Sequence, residues 1–162
     1  MTAQYVDEKT AARLLKKMQP HNALVCQLCI DTGLRIGDVV ALTTDKLKSN
    51  RIRIKEQKTG KVRRIYVKKR LLEQLRSIAG RRFVFQSPRN KRRHITRQAV
   101  WADVKKAAAE MGIEKNISPH TFRKLYAVKL LKRYKDPRKV QRIIGHDSVA
   151  LTVMYATSNL FC

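Results

Sequence analysis

Between residues 51 and 67 the chain is committed to a β-hairpin. RIRIKE (51–56) and VRRIYV (62–67) alternate basic and apolar residues at period two around QKTGK, with Gly60 in the turn. Period two places every second side chain on one face, so only one register turns the apolar set toward a core. Two strands alone cannot bury that face, and the flanking sequence supplies helices to cover it. DEKTAARLLKKM (7–18) reads as an amphipathic helix with Leu14, Leu15 and Met18 inward. HNALVCQLCIDT (21–32) reads as an apolar helix stopped by Gly33, and a short helix follows at about 36–42. Further helices are expected at 70–78 and at 96–111, the latter stopped by Gly112, and FVF (83–85) reads as a third short strand. The expected fold is α+β: a mostly helical single domain over residues 1–162, with a small three-stranded antiparallel sheet.

Charge narrows the function. The 162 residues carry 37 Lys plus Arg against 12 Asp plus Glu, a net charge of +25, yet 43% of them are hydrophobic. That apolar content excludes a disordered basic tail. Self-repulsion at this charge destabilises the compact state, and a polyanion relieves it, which makes nucleic acid the first expected partner. The clusters at 51–64, 81–93 and 129–142 suit a surface that tracks phosphates. An anionic membrane is the second candidate by charge. No stretch approaches the roughly 18 apolar residues of a membrane span, so a transmembrane helix is excluded, and the expected partner is DNA with no membrane. The start, MTAQYVDEKTAARLL, lacks a signal-peptide layout. Cys26, Cys29 and Cys162 are too sparse for a disulfide framework and fit a reducing cytoplasm.

Several short motifs carry chemistry, each beside a plainer reading. Gly33-Leu34-Arg35-Ile36-Gly37-Asp38 sets an arginine in a tight turn with a carboxylate three residues on, which by itself describes a surface ion pair. Ser118 and Pro119 sit at the N-cap and first position of a helix, placing His120 and Arg123 together in its first turn. Free backbone N–H groups there favour a phosphate, although a capping histidine beside a solvated arginine has the same pattern. Lys58 at the hairpin tip is, taken singly, one more solvated charge. DPRKVQRIIGHDSVALTVMY reads as a helix, a stop at Gly145, an irregular His146-Asp147 and a second helix carrying Tyr155. In isolation Tyr155, near Leu151 and Val153, reads as a core tyrosine, and Trp101 reads as core packing on the long helix.

The order of these pieces says more than any one of them. TGLRIGDVVAL, a hairpin with KTG, SPHTFR, IIGHDS and then T-x-x-Y together resemble the catalytic domain of the tyrosine recombinases, or phage integrases, across essentially the whole chain. The resemblance assigns the family's two arginines to Arg35 and Arg123, its hairpin lysine to Lys58, its two histidines to His120 and His146, and its nucleophile to Tyr155. Asp38 matches the acidic residue that supports the first arginine. The implied reaction is cleavage and rejoining of double-stranded DNA through a 3′-phosphotyrosyl link, without metal, ATP or other cofactor. Two guanidiniums suit the non-bridging oxygens, where charge builds in the transition state. A phenol of pKa near ~10 both attacks and leaves, Lys58 can protonate the departing 5′-oxygen, and His120 can accept the tyrosine proton while His146 hydrogen-bonds the phosphate. The resemblance also implies a cytoplasmic protein of a bacterium, phage or mobile element, assembling as a tetramer on paired sites.

Three departures accompany the likeness. No N-terminal core-binding domain is expected within 1–162, seven residues (ATSNLFC) follow Tyr155, and Lys124-Leu125 replaces the usual R-[TH]. The first two lead to the expectation of a monomer in solution. Two other functions compete. Glu56-x-Lys58 with Asp45 upstream is a loose match to a metal-dependent nuclease, and a degenerate integrase fragment would bind DNA without cleaving it. Cys26-x-x-Cys29 lacks a second pair for zinc and reads as two buried helical cysteines, and Thr59-Gly60-Lys61 lacks the flanks of a phosphate-binding P-loop.

Overall fold

The computed structural model of the chain describes residues 4–145, and its helices begin where the sequence offers caps. The Asp7 carboxylate accepts from Thr10 N (2.9 Å) and opens α1 (Glu8–Lys17), while Pro20 opens α2 (Pro20–Thr32). After the short α3 (Ile36–Val40) and a 3₁₀ turn at Thr44–Lys48 come β1 (Arg51–Lys55) and β2 (Val62–Tyr66). α4 (Lys69–Ile78) follows, then α5 (Arg97–Glu110), capped by the Thr96 hydroxyl. Ser118 and Thr121 form a capping box at α6 (Pro119–Tyr134), and Asp136 caps α7 (Pro137–Ile144). Leu14, Val25, Leu28, Val104 and Phe122 are fully buried at the centre of one core that α1, α2, α5 and α6 share. Met18 joins them, and Leu15 packs at their edge.

The hairpin pairs antiparallel with Ile52 opposite Ile65 and Ile54 opposite Arg63. Ile52, Ile54 and Ile65 are buried, so the expected inward parity holds. Among the described residues the sheet has two strands, however, not three. Val84 and Phe85 are fully buried, but the backbone of 83–85 bonds Leu42 and Ile95, and Phe83 makes a single bridge to Thr43. With its hydrogen bonds taken by those segments, FVF never runs beside the hairpin.

Trp101 also departs from expectation. The buried residues of α5 are Val100, Val104, Ala107 and Ala108, a stripe one residue out of phase with Trp101. A step of about 100° around the helix leaves its ring 51% exposed, with Lys105 Nζ 5.5 Å from the ring centroid. Cys26 and Cys29 are buried in α2 as expected, where burial pushes the Cys29 thiol up to about 12. Among the described residues no helix is long and apolar enough to cross a membrane.

Candidate active site

Four chain segments meet at one cleft of about 480 Å³, lined by Arg35, Lys58, His120 and Arg123 together with Asp38 and Arg97. Each arrives there for a local reason. α2 ends at Gly33 in the left-handed region (φ +66°), where a Cβ would be strained and would run into the Tyr126 ring. The chain thereby reverses, Leu34 is buried, and Arg35 emerges at the N-cap of α3. The Ser118–Pro119 start of α6 sets His120 and Arg123 one turn apart. The hairpin turn, closed by Gly60 N to Glu56 O (2.8 Å), presents Lys58, which is exposed. His146 and Tyr155 lie outside the described residues.

Arg123 is 2% exposed and is held by backbone: Nη1 donates to Gly33 O and Nη2 to Ile144 O (3.0 Å). Burial first, then the nearby Arg35 and Arg63, lower its pKa to about 10, which leaves it charged at neutral pH. Arg35 Nη2 donates to Gly145 O (3.4 Å). Both arginines therefore grip the end of α7, the residues that lead directly into His146. His120 is exposed by surface area, yet its pKa falls to about 4. Desolvation by its packed surroundings is the main cause, and the charges of Arg123, Lys124, Arg35 and Lys58 add to it. The imidazole is neutral at pH 7 and has a lone pair to accept a proton.

The carboxylate partner of Arg35 is Glu56, at 2.9 Å, and not Asp38. Asp38 Oδ1 instead accepts from Gln57 N (2.9 Å), tying α3 to the hairpin turn, and among the described residues Oδ2 has no hydrogen-bond partner. Glu56 also pairs with Arg63 (3.3 Å), whose Nη2 reaches Thr32 O (2.9 Å). The integrase motifs point to neither Glu56 nor Arg63, and Glu56 enters only through the E-x-K match to a nuclease. The signal was parity: 52, 54 and 56 share the inward face of one strand, and 63, 65 and 67 share that of the other. A carboxylate and a guanidinium both aimed at a core need each other. Lys124, buried and lowered in pKa by desolvation, and Leu125, in the core, fill the R-[TH] position with packing.

The nuclease reading loses its main residue here. Glu56 Oε1 accepts from Arg63 and Oε2 from Arg35 and from Thr59 Oγ1 (2.7 Å), in a side chain of 0% exposure, so its oxygens are committed. Of the basic clusters, 81–93 stays exposed at Arg81, Arg82, Arg89, Lys91, Arg92 and Arg93. Part of 129–142 is structural: Lys129 pairs with Glu8 (3.1 Å), and Lys139 sits over the Tyr134 ring (4.1 Å).

Burial raises the Glu56 pKa, but the Thr59 hydroxyl and the two arginines outweigh it and hold the carboxyl below its ordinary 4.5. A folded-state value below the unfolded one gives stability that is present above about pH 4.5 and lost as pH falls through the folded value. Glu56→Gln is therefore expected to cost about 3 kcal/mol at pH 7, the lower end for breaking a buried ion pair, since Arg35 keeps 21% of its side chain in water. Thermal unfolding should show a midpoint lowered by roughly 6–12 °C, with the gap to wild type narrowing below about pH 4. An unchanged midpoint at pH 7 would show that the pairs contribute nothing.

The sequence profile of the phage integrase family matches residues 4–160. The chain is 32% identical over 142 residues to tyrosine recombinase XerD of Lacticaseibacillus casei, an alignment covering 81% of this chain and 48% of that protein. The chain spans about half the length of the curated XerD relatives it matches. Its fold is that of the catalytic domain of bacteriophage HP1 integrase (TM-score 0.72, 20% identity, 97% of this chain and 89% of that one). It is equally that of a lambda integrase solved as a tetramer bound to a Holliday junction (TM-score 0.76, 17% identity, 96% and 48%). A profile match over nearly every residue, joined to a mostly helical fold that gathers Arg35, Lys58, His120 and Arg123 at one cleft, leaves one assignment: the chain belongs to the phage integrase family of tyrosine recombinases.

Proposed function

We propose that this chain cleaves and rejoins double-stranded DNA through a 3′-phosphotyrosyl intermediate, as a site-specific recombinase. The observation that carries the reading is the convergence of two arginines, a lysine and a neutral histidine on one open cleft. Arg35 and Arg123 hold the two non-bridging oxygens of the scissile phosphate and stabilise the charge that grows there. Tyr155 attacks phosphorus and gives its proton to His120, whose basicity rises when the phosphate neutralises the cations that depress it. The P–O5′ bond breaks as Lys58 protonates the leaving oxygen, and His146 hydrogen-bonds the phosphate. Asp38 supports the site through the hairpin turn. The energy of the broken bond is kept in the phosphotyrosine, and a 5′-hydroxyl from another strand reverses the steps, so no cofactor is consumed.

Duplex DNA has a basic track beyond the cleft. A groove lined by Lys46, Arg53 and Lys55 shares Asp38 and Gln57 with it and shares Thr43 with an outer groove of about 610 Å³ that holds Arg81, Arg82, Lys91 and Arg92. Such contacts act through phosphates and carry no base information. The chain acts as a tetramer on paired sites; a lambda integrase of the same fold was solved as a tetramer bound to a Holliday junction.

The test is covalent trapping. The chain is incubated with nicked suicide duplexes randomised across the binding region, in the presence of EDTA. A protein–DNA band that survives detergent and disappears with protease is the expected result. DNA bound without a covalent band would make the chain a binding module, and cleavage lost to EDTA would make it a metal-dependent nuclease.

A further inference from the structure

The Lys58 side chain sits on a hairpin tip, where a long exposed amine ordinarily samples many positions. Here both of its neighbours in sequence are tied down. Before it, Gln57 N donates to Asp38 Oδ1 (2.9 Å) and Gln57 Nε2 to Gly37 O (3.3 Å). After it, Thr59 Oγ1 donates to Glu56 Oε2 (2.7 Å), and the backbone closes from Gly60 N to Glu56 O and from Glu56 N to Lys61 O (2.9 Å). Oε2 is the same oxygen that accepts from Arg35 Nη1 (2.9 Å). The other oxygen, Oε1, accepts from Arg63, whose Nη1 also approaches Gly33 O (3.4 Å), the carbonyl that Arg123 holds.

We propose that Glu56 is a positioning residue that sets the proton donor against the phosphate clamp: its Oε2, shared by Arg35 and Thr59, fixes the Lys58 turn relative to Arg35 before DNA arrives. The proposal rests on the recombinase reading given above. A carboxylate whose side chain is entirely buried is costly to desolvate, and a shorter or exposed partner would serve Arg35 alone. Burial brings rigidity, because a single oxygen with two donors cannot follow one without moving the other. A general acid must lie within hydrogen-bond reach of the leaving oxygen, and a displacement of about 1 Å can lower a rate by ~10².

Thr59→Val removes one donor from Oε2 and keeps the shape, leaving the Arg35–Glu56 pair in place. On DNA recovered from the wild-type trapping reaction, it should form covalent complex roughly 10- to 100-fold more slowly, with DNA affinity near wild type and a melting midpoint lowered less than in Glu56→Gln. Thr59→Ser, which keeps the hydroxyl, should restore the rate. A substrate with a bridging 5′-phosphorothiolate has a leaving sulfur that needs no proton, so Thr59→Val should cleave it nearly as fast as wild type. Glu56→Gln loosens Arg35 as well, and its defect should persist on the sulfur substrate. A Thr59→Val variant as fast as wild type, or equally slow on both substrates, overturns the positioning role. Absence of any covalent complex with the wild-type chain overturns the recombinase reading itself, and the proposal with it.

Discussion

Tyr155→Phe is expected to abolish covalent attachment to DNA while duplex affinity stays nearly unchanged. In the proposed reaction only the hydroxyl oxygen forms a bond to phosphorus. The ring itself belongs to an apolar sequence pattern with Leu151 and Val153, which phenylalanine keeps. On the proposed reading affinity comes mainly from phosphate contacts by a chain of net charge +25, a charge the substitution does not change. The measurement pairs a trapping gel with a binding titration on the same duplex. Covalent complex persisting in the variant would assign the nucleophile elsewhere.

Lys58→Ala should lower cleavage of an ordinary phosphodiester by roughly 10²–10⁴-fold, the usual range for a general acid. Lys58 lines the cleft beside Arg35 and Arg123, yet it is the exposed member of the group, so its loss leaves the buried framework intact. The bridging 5′-phosphorothiolate should return the rate close to wild type, because thiolate leaves without a proton. Equal impairment on both substrates would assign Lys58 to phosphate binding. The effect should exceed that of Thr59→Val, which displaces the amine without removing it.

Much of the architecture was legible because it is written in short-range rules. Asp7, Thr96, Ser118 and Asp136 cap helices through contacts a few residues long, and Gly33 and Gly145 end helices by adopting positive φ. The alternation of 51–56 with 62–67 specified the hairpin and its inward face. The same local logic set His120 and Arg123 one turn apart. It fails at FVF, where three apolar residues are too few to tell a strand from a buried extended turn, and at Trp101, where phase on the helix outweighs hydrophobicity.

The sequence by itself determined the helices, their caps and the hairpin, since each depends on residues at most a turn or a strand apart, and with them the excess of positive charge and the order of Arg35, Lys58, His120 and Arg123. Tertiary structure alone decided which charges pair. Asp38 stands three residues from Arg35, yet Arg35 bonds Glu56 where the start of α3 meets the hairpin turn, and Asp38 holds the Gln57 backbone. The physical reason is that ion pairing follows distance and desolvation in space. Burying the Glu56 carboxylate is tolerable only where Arg35, Arg63 and Thr59 converge on it from separate segments, and no local pattern encodes that convergence.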